Sequence, residues 1–290
     1  MTADNTPSNT TLLLVDNGST RVEAALQLKK IASKLSDVSG LKIHAVSLKH
    51  SDKIPADHVD AHLDGIKARV FNEFIEEHLK AGQRNFILIP LFFGKSRALT
   101  SFVPDEKEKL ESQFGPFSLN MTDVLYPIDE GSPALVNILY EHAVLAANGD
   151  TKAHLKNIVL VDHGSPIKTV NDVRQGLAHA LKLKLPKGCN IDQAAMERRP
   201  GKEYDFNGEL LEDYLNRLAK AGETKATILL QFLLSGTHAG ANGDIEQICH
   251  TVMNKYPDFK VSISPLIGQN DQLVTLLAEK LKNHLARSRV

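Results

Sequence analysis

His163, Glu197 and His238 are the residues whose types and placement could do metal and proton chemistry in this chain. His163 lies in Val161-Asp162-His163-Gly164-Ser165, closing an apolar run. Glu197 lies in Ala194-Ala195-Met196-Glu197-Arg198-Arg199-Pro200, and His238 in Ser235-Gly236-Thr237-His238-Ala239-Gly240. Two imidazoles and one carboxylate suit a borderline divalent ion such as cobalt, iron, nickel or zinc. With three protein donors the ion keeps open positions and can be handed on. A neutral imidazole can also accept a proton. Each residue has a plainer reading by itself. His-Gly-Ser can be a tight turn in which Gly164 relaxes the backbone and Ser165 caps a helix, and Glu197 beside two arginines can be a solvated charge cluster. It is the joint placement of the three, each just past a predicted strand, that favours a shared site; the other histidines lack it.

The elements that must hold these residues follow from apolar patterning. Leu12–Asp16 has no helical period and reads as a strand buried on both faces, followed by a helix with Val22, Ala25, Leu26, Leu28, Ile31 and Leu35 on one side and Ser19 or Thr20 as cap. Further strands are expected at Leu41–Leu48, Asn85–Phe93 and Ser118–Leu125, with helices at Ala61–Leu79, Pro104–Phe114 and Pro133–Ala147. The order then recurs. Strands are expected at Ile158–Asp162, Ile191–Met196, Ala226–Leu234 and Phe259–Ile263, and helices at Val170–Leu183, Asn207–Ala221, Gly243–Lys255 and Asp271–Ala286. Such alternation predicts an α/β protein of two similar domains, each a four-stranded, mainly parallel sheet with helices on both faces. Ligands bind such sheets beyond the carboxyl ends of the strands. The domains are expected at 11–149 and 150–290, after a loose tail at 1–10, with the boundary at Asn148–Lys152.

The recurrence is also one of sequence. Val15-Asp16-Asn17-Gly18-Ser19 aligns on Val161 to Ser165 with asparagine for histidine, and Ile87–Phe93 aligns on Ile228–Leu234. On that alignment Arg97, or Ala98 after a one-residue gap, replaces His238, and Lys49 stands near the place of Glu197. The first half has therefore lost all three donors, and a metal is expected in the second half alone.

Composition narrows the classes. A chain of 290 residues accommodates two domains, and a net charge of -1 argues against a nucleic-acid protein. No apolar run approaches the roughly 20 residues of a membrane span. Two unpatterned cysteines and the lack of a secretory signal sequence point to the cytoplasm. The glycine-rich stretch Gly236–Gly243 is neither a Walker motif nor a dinucleotide fingerprint, so no nucleotide cofactor is expected.

At these residues the chain resembles the class II tetrapyrrole chelatases, in particular the long, two-half sirohydrochlorin chelatases of cobalamin and sirohaem synthesis. The resemblance runs from about Leu12 to Leu281. It is carried by Asp162–Ser165, by Met196–Gly201 with Tyr204–Asn207 and Leu210-Leu211, and by Leu234–Gly240 leading to Gly243-Asp244-Ile245. It implies ATP-independent insertion of a divalent metal, Co2+, Fe2+ or Ni2+ as substrate, into sirohydrochlorin or a related macrocycle. His163 and His238 would then bind metal and remove protons, in an order left open, with Glu197 assisting. The carboxylates of such a substrate would be met by Lys168, Arg174, Arg198, Arg199 and Lys202, and by Arg21, Lys95 and Arg97 of the first half. With the halves fused, a monomer is expected. The alternative is a non-catalytic tetrapyrrole or metal carrier on the same fold; a metal-dependent hydrolase is weaker, since no general base beyond Glu197 is evident.

Overall fold

The computed structural model describes residues 9–62, 67–147 and 157–287. The first sheet has the order β2-β1-β3-β4, formed by β1 (Thr10–Asp16), β2 (Ile43–Ser47), β3 (Asn85–Pro90) and β4 (Ser118–Met121). The second repeats it as β6-β5-β7-β8, from β5 (Asn157–Asp162), β6 (Asn190–Ala195), β7 (Lys225–Leu230) and β8 (Lys260–Ile263). Every pairing is parallel. The central strands are apolar because both faces are covered: Leu13, Leu14 and Val15 of β1 and Ile158 to Val161 of β5 have no exposed surface. Each such side chain contributes roughly 1.5–3 kcal/mol by leaving water.

The helices are α1 (Val22–Ser39), α2 (Ala56–His62), α3 (Phe71–Lys80), α4 (Val103–Phe114), α5 (Pro133–Ala146), α6 (Lys168–Lys184), α7 (Leu211–Lys220), α8 (Asp244–Lys255) and α9 (Gln272–Arg287). Three expectations change here. The helix expected over Ala61–Leu79 is not continuous: Val70 is extended and bridges Ser47, so α3 starts only at Phe71, and Ile66 lies outside the described residues. The fourth strand ends at Met121, and Thr10, expected in the tail, already belongs to β1. Ser19 does not cap α1; its hydroxyl accepts from the Arg21 amide at 3.0 Å, as Ser165 accepts from the Ile167 amide at 3.0 Å.

The compact units also differ from two linear halves. One comprises residues 1–125 and 271–290, the other 126–270. The boundary expected at Asn148–Lys152 lies outside the described residues, but α5 packs on α6 and β7 in the second unit while α9 packs on α1 in the first. An ion pair between Lys34 and Asp271 ties the start of α9 to α1. An amphipathic pattern tells that a helix covers a sheet; it does not tell which sheet.

Pairing fixes the repeat alignment. Val15 stands beside Pro90 and Val161 beside Leu230, so Leu88, not Ile87, is the counterpart of Ile228. The residue in the place of His238 is therefore Ala98, and the buried Leu99 matches the buried Ala239. Asn17 O accepts from Lys49 N at 3.1 Å, as His163 O accepts from Glu197 N at 3.1 Å, which makes Lys49 the counterpart of Glu197.

Candidate active site

In each sheet the strand order reverses at the central pair, and a crevice opens there beyond the carboxyl ends. In the second unit the central pair is β5 and β7. His163 follows β5 and His238 follows β7, so the two imidazoles flank the reversal point; Glu197 follows β6.

The turn after β5 exists because Gly164 is there. Its φ is +90°, and a Cβ would sit 1.9 Å from the Glu197 carbonyl oxygen. Glycine thus lets the His163 turn lie directly against the Glu197 segment. The Glu197 carboxylate reaches back, its Oε1 3.3 Å from His163 Nε2. After β7 the chain runs through the glycine-rich loop into α8, whose first turn returns to His238: Ile245 N donates to His238 O at 3.1 Å. The two rings meet edge to face, with centroids 4.5 Å apart, and Nε2 faces Nε2 at 3.2 Å.

The outer nitrogens decide what that contact means. His163 Nδ1 lies 3.1 Å from Gly164 O, a carbonyl that can only accept. His238 Nδ1 lies 2.6 Å from Asp244 Oδ2, and an ionised carboxylate also only accepts. Both Nδ1 atoms therefore carry hydrogen, and in the neutral rings both Nε2 atoms present lone pairs to each other. Two facing acceptors call for a cation between them, a proton or a metal ion. Two nitrogens on one tetrahedral ion at about 2.0–2.1 Å are themselves about 3.3 Å apart, close to the spacing found. Among the described residues no group of three or more His, Cys, Asp or Glu side chains forms a ready metal site. The expected trio is thus an imidazole pair with Glu197 on the His163 side.

The expected cations divide into three groups. Lys168 and Arg198 are exposed but engaged, with Asp172 at 2.6 Å and Asp205 at 3.1 Å. Arg199 and Lys202, in the loop after Glu197, are exposed and make no ion pair among the described residues, and the same holds for Arg21, Lys95 and Arg97 in the first unit. Arg174 does not belong with them. It is 2% exposed and forms a buried ion pair with Asp162, while its guanidinium also donates to Ala194 O at 3.0 Å and Asn207 O at 2.5 Å. A buried carboxylate draws the one cation that its helix can bring to it, so Arg174 is withdrawn from solvent. Burial raises the Asp162 carboxyl above its ordinary range, and Arg174 pulls against that shift.

Asp244 and Asn207 are functional candidates to which the sequence reading gave no role. For Asp244 a signal existed: an acid at the start of the helix that follows the histidine loop. Asn207 had none, since it acts on a turn far away in sequence, its amide accepting from Ser165 N and donating to Ser165 O, both at 2.9 Å.

The CbiX family model matches residues 157–284, which include all of these donors. Among curated proteins none gives a significant match. Among solved structures the chain is similar to SirB from Bacillus subtilis with Fe3+, at TM-score 0.70 and 16% identity over 97% of each chain. It is similar to the sirohydrochlorin chelatase SirB from Bacillus subtilis subspecies spizizenii in complex with cobalt, at TM-score 0.64 and 15% identity over 94% of each chain. It also resembles CbiX, described as the terminal enzyme for biosynthesis of siroheme in denitrifying bacteria, at TM-score 0.56 and 11% identity over 95% of this chain and 98% of that one. With the family model on the second half and the two-unit fold along the whole length, the chain belongs to the class II chelatases of the long CbiX type.

Proposed function

We propose that the protein inserts a divalent metal ion into sirohydrochlorin or a closely related carboxylated tetrapyrrole, without a nucleotide. The observation that carries the reading is the facing pair His163 and His238, whose inner nitrogens are both left as acceptors by Gly164 O and Asp244. That pair, with Glu197 beside His163, is suited to receive an ion and release it, because two or three protein donors leave coordination positions open for the macrocycle nitrogens. Insertion displaces two pyrrole protons for each ion. As the metal leaves, the histidine nitrogens recover their lone pairs and can take those protons, with Glu197 passing them to solvent. Arg199 and Lys202, less strongly Lys168 and Arg198, and in the first unit Arg21, Lys95 and Arg97, are the proposed contacts for substrate carboxylates. Cobalt, iron and nickel all suit the donor set, and the product would serve cobalamin or sirohaem synthesis. We read the protein as a cytoplasmic monomer.

The test is an absorbance assay with sirohydrochlorin and cobalt, iron or nickel in parallel, without ATP. Multiple turnovers per chain are expected with at least one ion. Binding of macrocycle or metal that stops at one equivalent, with no turnover for any ion, would establish the carrier in place of the enzyme.

A further inference from the structure

We propose that Arg174, together with Asn207, is a positioning clamp that sets the spacing between His163 and Glu197; the role rests on the metal-insertion reading. From α6 the buried guanidinium reaches Asp162, the residue before His163, and Ala194 O, just upstream of Glu197. It also reaches Asn207 O, at the far end of the loop that carries Glu197, Arg198, Arg199 and Lys202. The Asn207 side chain closes the circuit through its two bonds to the Ser165 backbone. One guanidinium and one amide thus tie the turn bearing the histidine to both ends of the loop bearing the carboxylate.

The first unit supplies the control. Its turn is the same: Gly18 has φ +89°, and a Cβ there would lie 1.7 Å from Lys49 O. Yet Leu28 stands 12 residues after Asp16, where Arg174 stands 12 residues after Asp162. Lys67 precedes Val70, which bridges Ser47, as Asn207 precedes Leu210, which bridges Ala195. The turn therefore folds without the clamp. The clamp is present where the metal donors are and missing where they are missing, so it accompanies the chemistry and not the turn.

The experiment is a Co2+ titration of the full-length Arg174→Leu chain, following the visible absorption of the bound ion, beside wild type, His163→Ala, Arg174→Lys and Asn207→Ala. Arg174→Leu copies the first unit and is expected to keep the wild-type far-ultraviolet dichroism. Its cobalt affinity should fall about 10–100-fold, with altered absorption bands, as for loss of a residue that orients a ligand. Arg174→Lys should recover part of the loss, and Asn207→Ala, which leaves the ion pair intact, should show a fall of the same kind even if Arg174→Leu fails to fold. Wild-type affinity and bands in Asn207→Ala, or in a folded Arg174→Leu, would overturn the clamp while leaving the metal reading intact. Absence of His163-dependent cobalt binding in the wild-type chain would instead overturn the metal reading, and the clamp with it.

Discussion

The turns after β1 and after β5 share a backbone and differ in what they hold. Both carry an aspartate at the strand end, a glycine in the left-handed region and a serine that accepts an amide two residues on. After β5 the aspartate is paired with Arg174 and the next residue is a histidine that faces another. After β1 the aspartate has no arginine, the next residue is Asn17, and the counterpart of Glu197 is Lys49, whose ammonium lies 3.9 Å above the Phe102 ring. The segment matching the His238 loop is a helical turn, Ala98–Phe102, running straight into α4. The comparison separates the requirements of the fold from those of the chemistry: Asp, Gly and Ser at this turn serve the backbone, and His, Glu and the buried Arg serve the site.

The largest effect should come from removing what only the second turn has. His163→Ala and His238→Ala are each expected to lower insertion by at least about 100-fold, on the scale of a lost acid–base or ligand group, with unchanged far-ultraviolet dichroism. Titration with cobalt should give one tight equivalent per chain, removed by His238→Ala and untouched by Asn17→Ala. A second equivalent sensitive to Asn17 would break the contrast between the halves.

An intermediate effect is expected from the aspartate that lost its arginine. Burial pushes Asp16 up from the ordinary 3.8 to about 6, against hydrogen bonds from Ser47 and Gly18, and its Oδ1 has no partner among the described residues. A carboxyl raised on folding adds stability below its unfolded pKa, near pH 4, and that contribution is lost as pH rises through about 6. Asp16→Asn cannot ionise. It should therefore be more stable than wild type at pH 8, by on the order of 3 kcal/mol from a shift of about two units, and equal to it below pH 4. Urea unfolding of both chains at the two pH values measures this, and a gap independent of pH would refute it.

The smallest effect concerns the cations of the first unit. Exposed ion pairs contribute about 0.2–1 kcal/mol each, so Arg21→Glu with Arg97→Glu should raise the Michaelis constant for the macrocycle only a few-fold, more at low salt, and leave cobalt affinity unchanged. An unchanged constant at low ionic strength would make these arginines ordinary surface charge.

The β and α elements were legible because each is a local pattern. Leu12 to Val15 and Ile158 to Val161 could only be strands buried on both faces, and most predicted helices agree with α1 and α4 to α9 to within a few residues. The one helix that failed, over Ala61–Leu79, failed because Val70 is drawn into the bridge with Ser47, a partner outside its own segment. Arg174 was misjudged for the same kind of reason. On a helical pattern it is a polar residue free to face water, and only the arrival of Asp162, Ala194 and Asn207 around it makes it an interior residue.

By itself, the sequence determined that two α/β repeats exist, that three donor residues end three strands of the second, and that the first has lost them; these follow from periodicity and residue identity. Only the tertiary structure decided that Ala98 stands for His238, that Asp244 and Gly164 O turn both lone pairs inward, that α5 and α9 are exchanged between units, and that Arg174 is a clamp. The physical reason is range. Patterns of apolar residues act over a few positions, whereas a hydrogen bond or a lone pair is placed to a fraction of an ångström by segments such as Ser165 and Asn207, 42 residues apart.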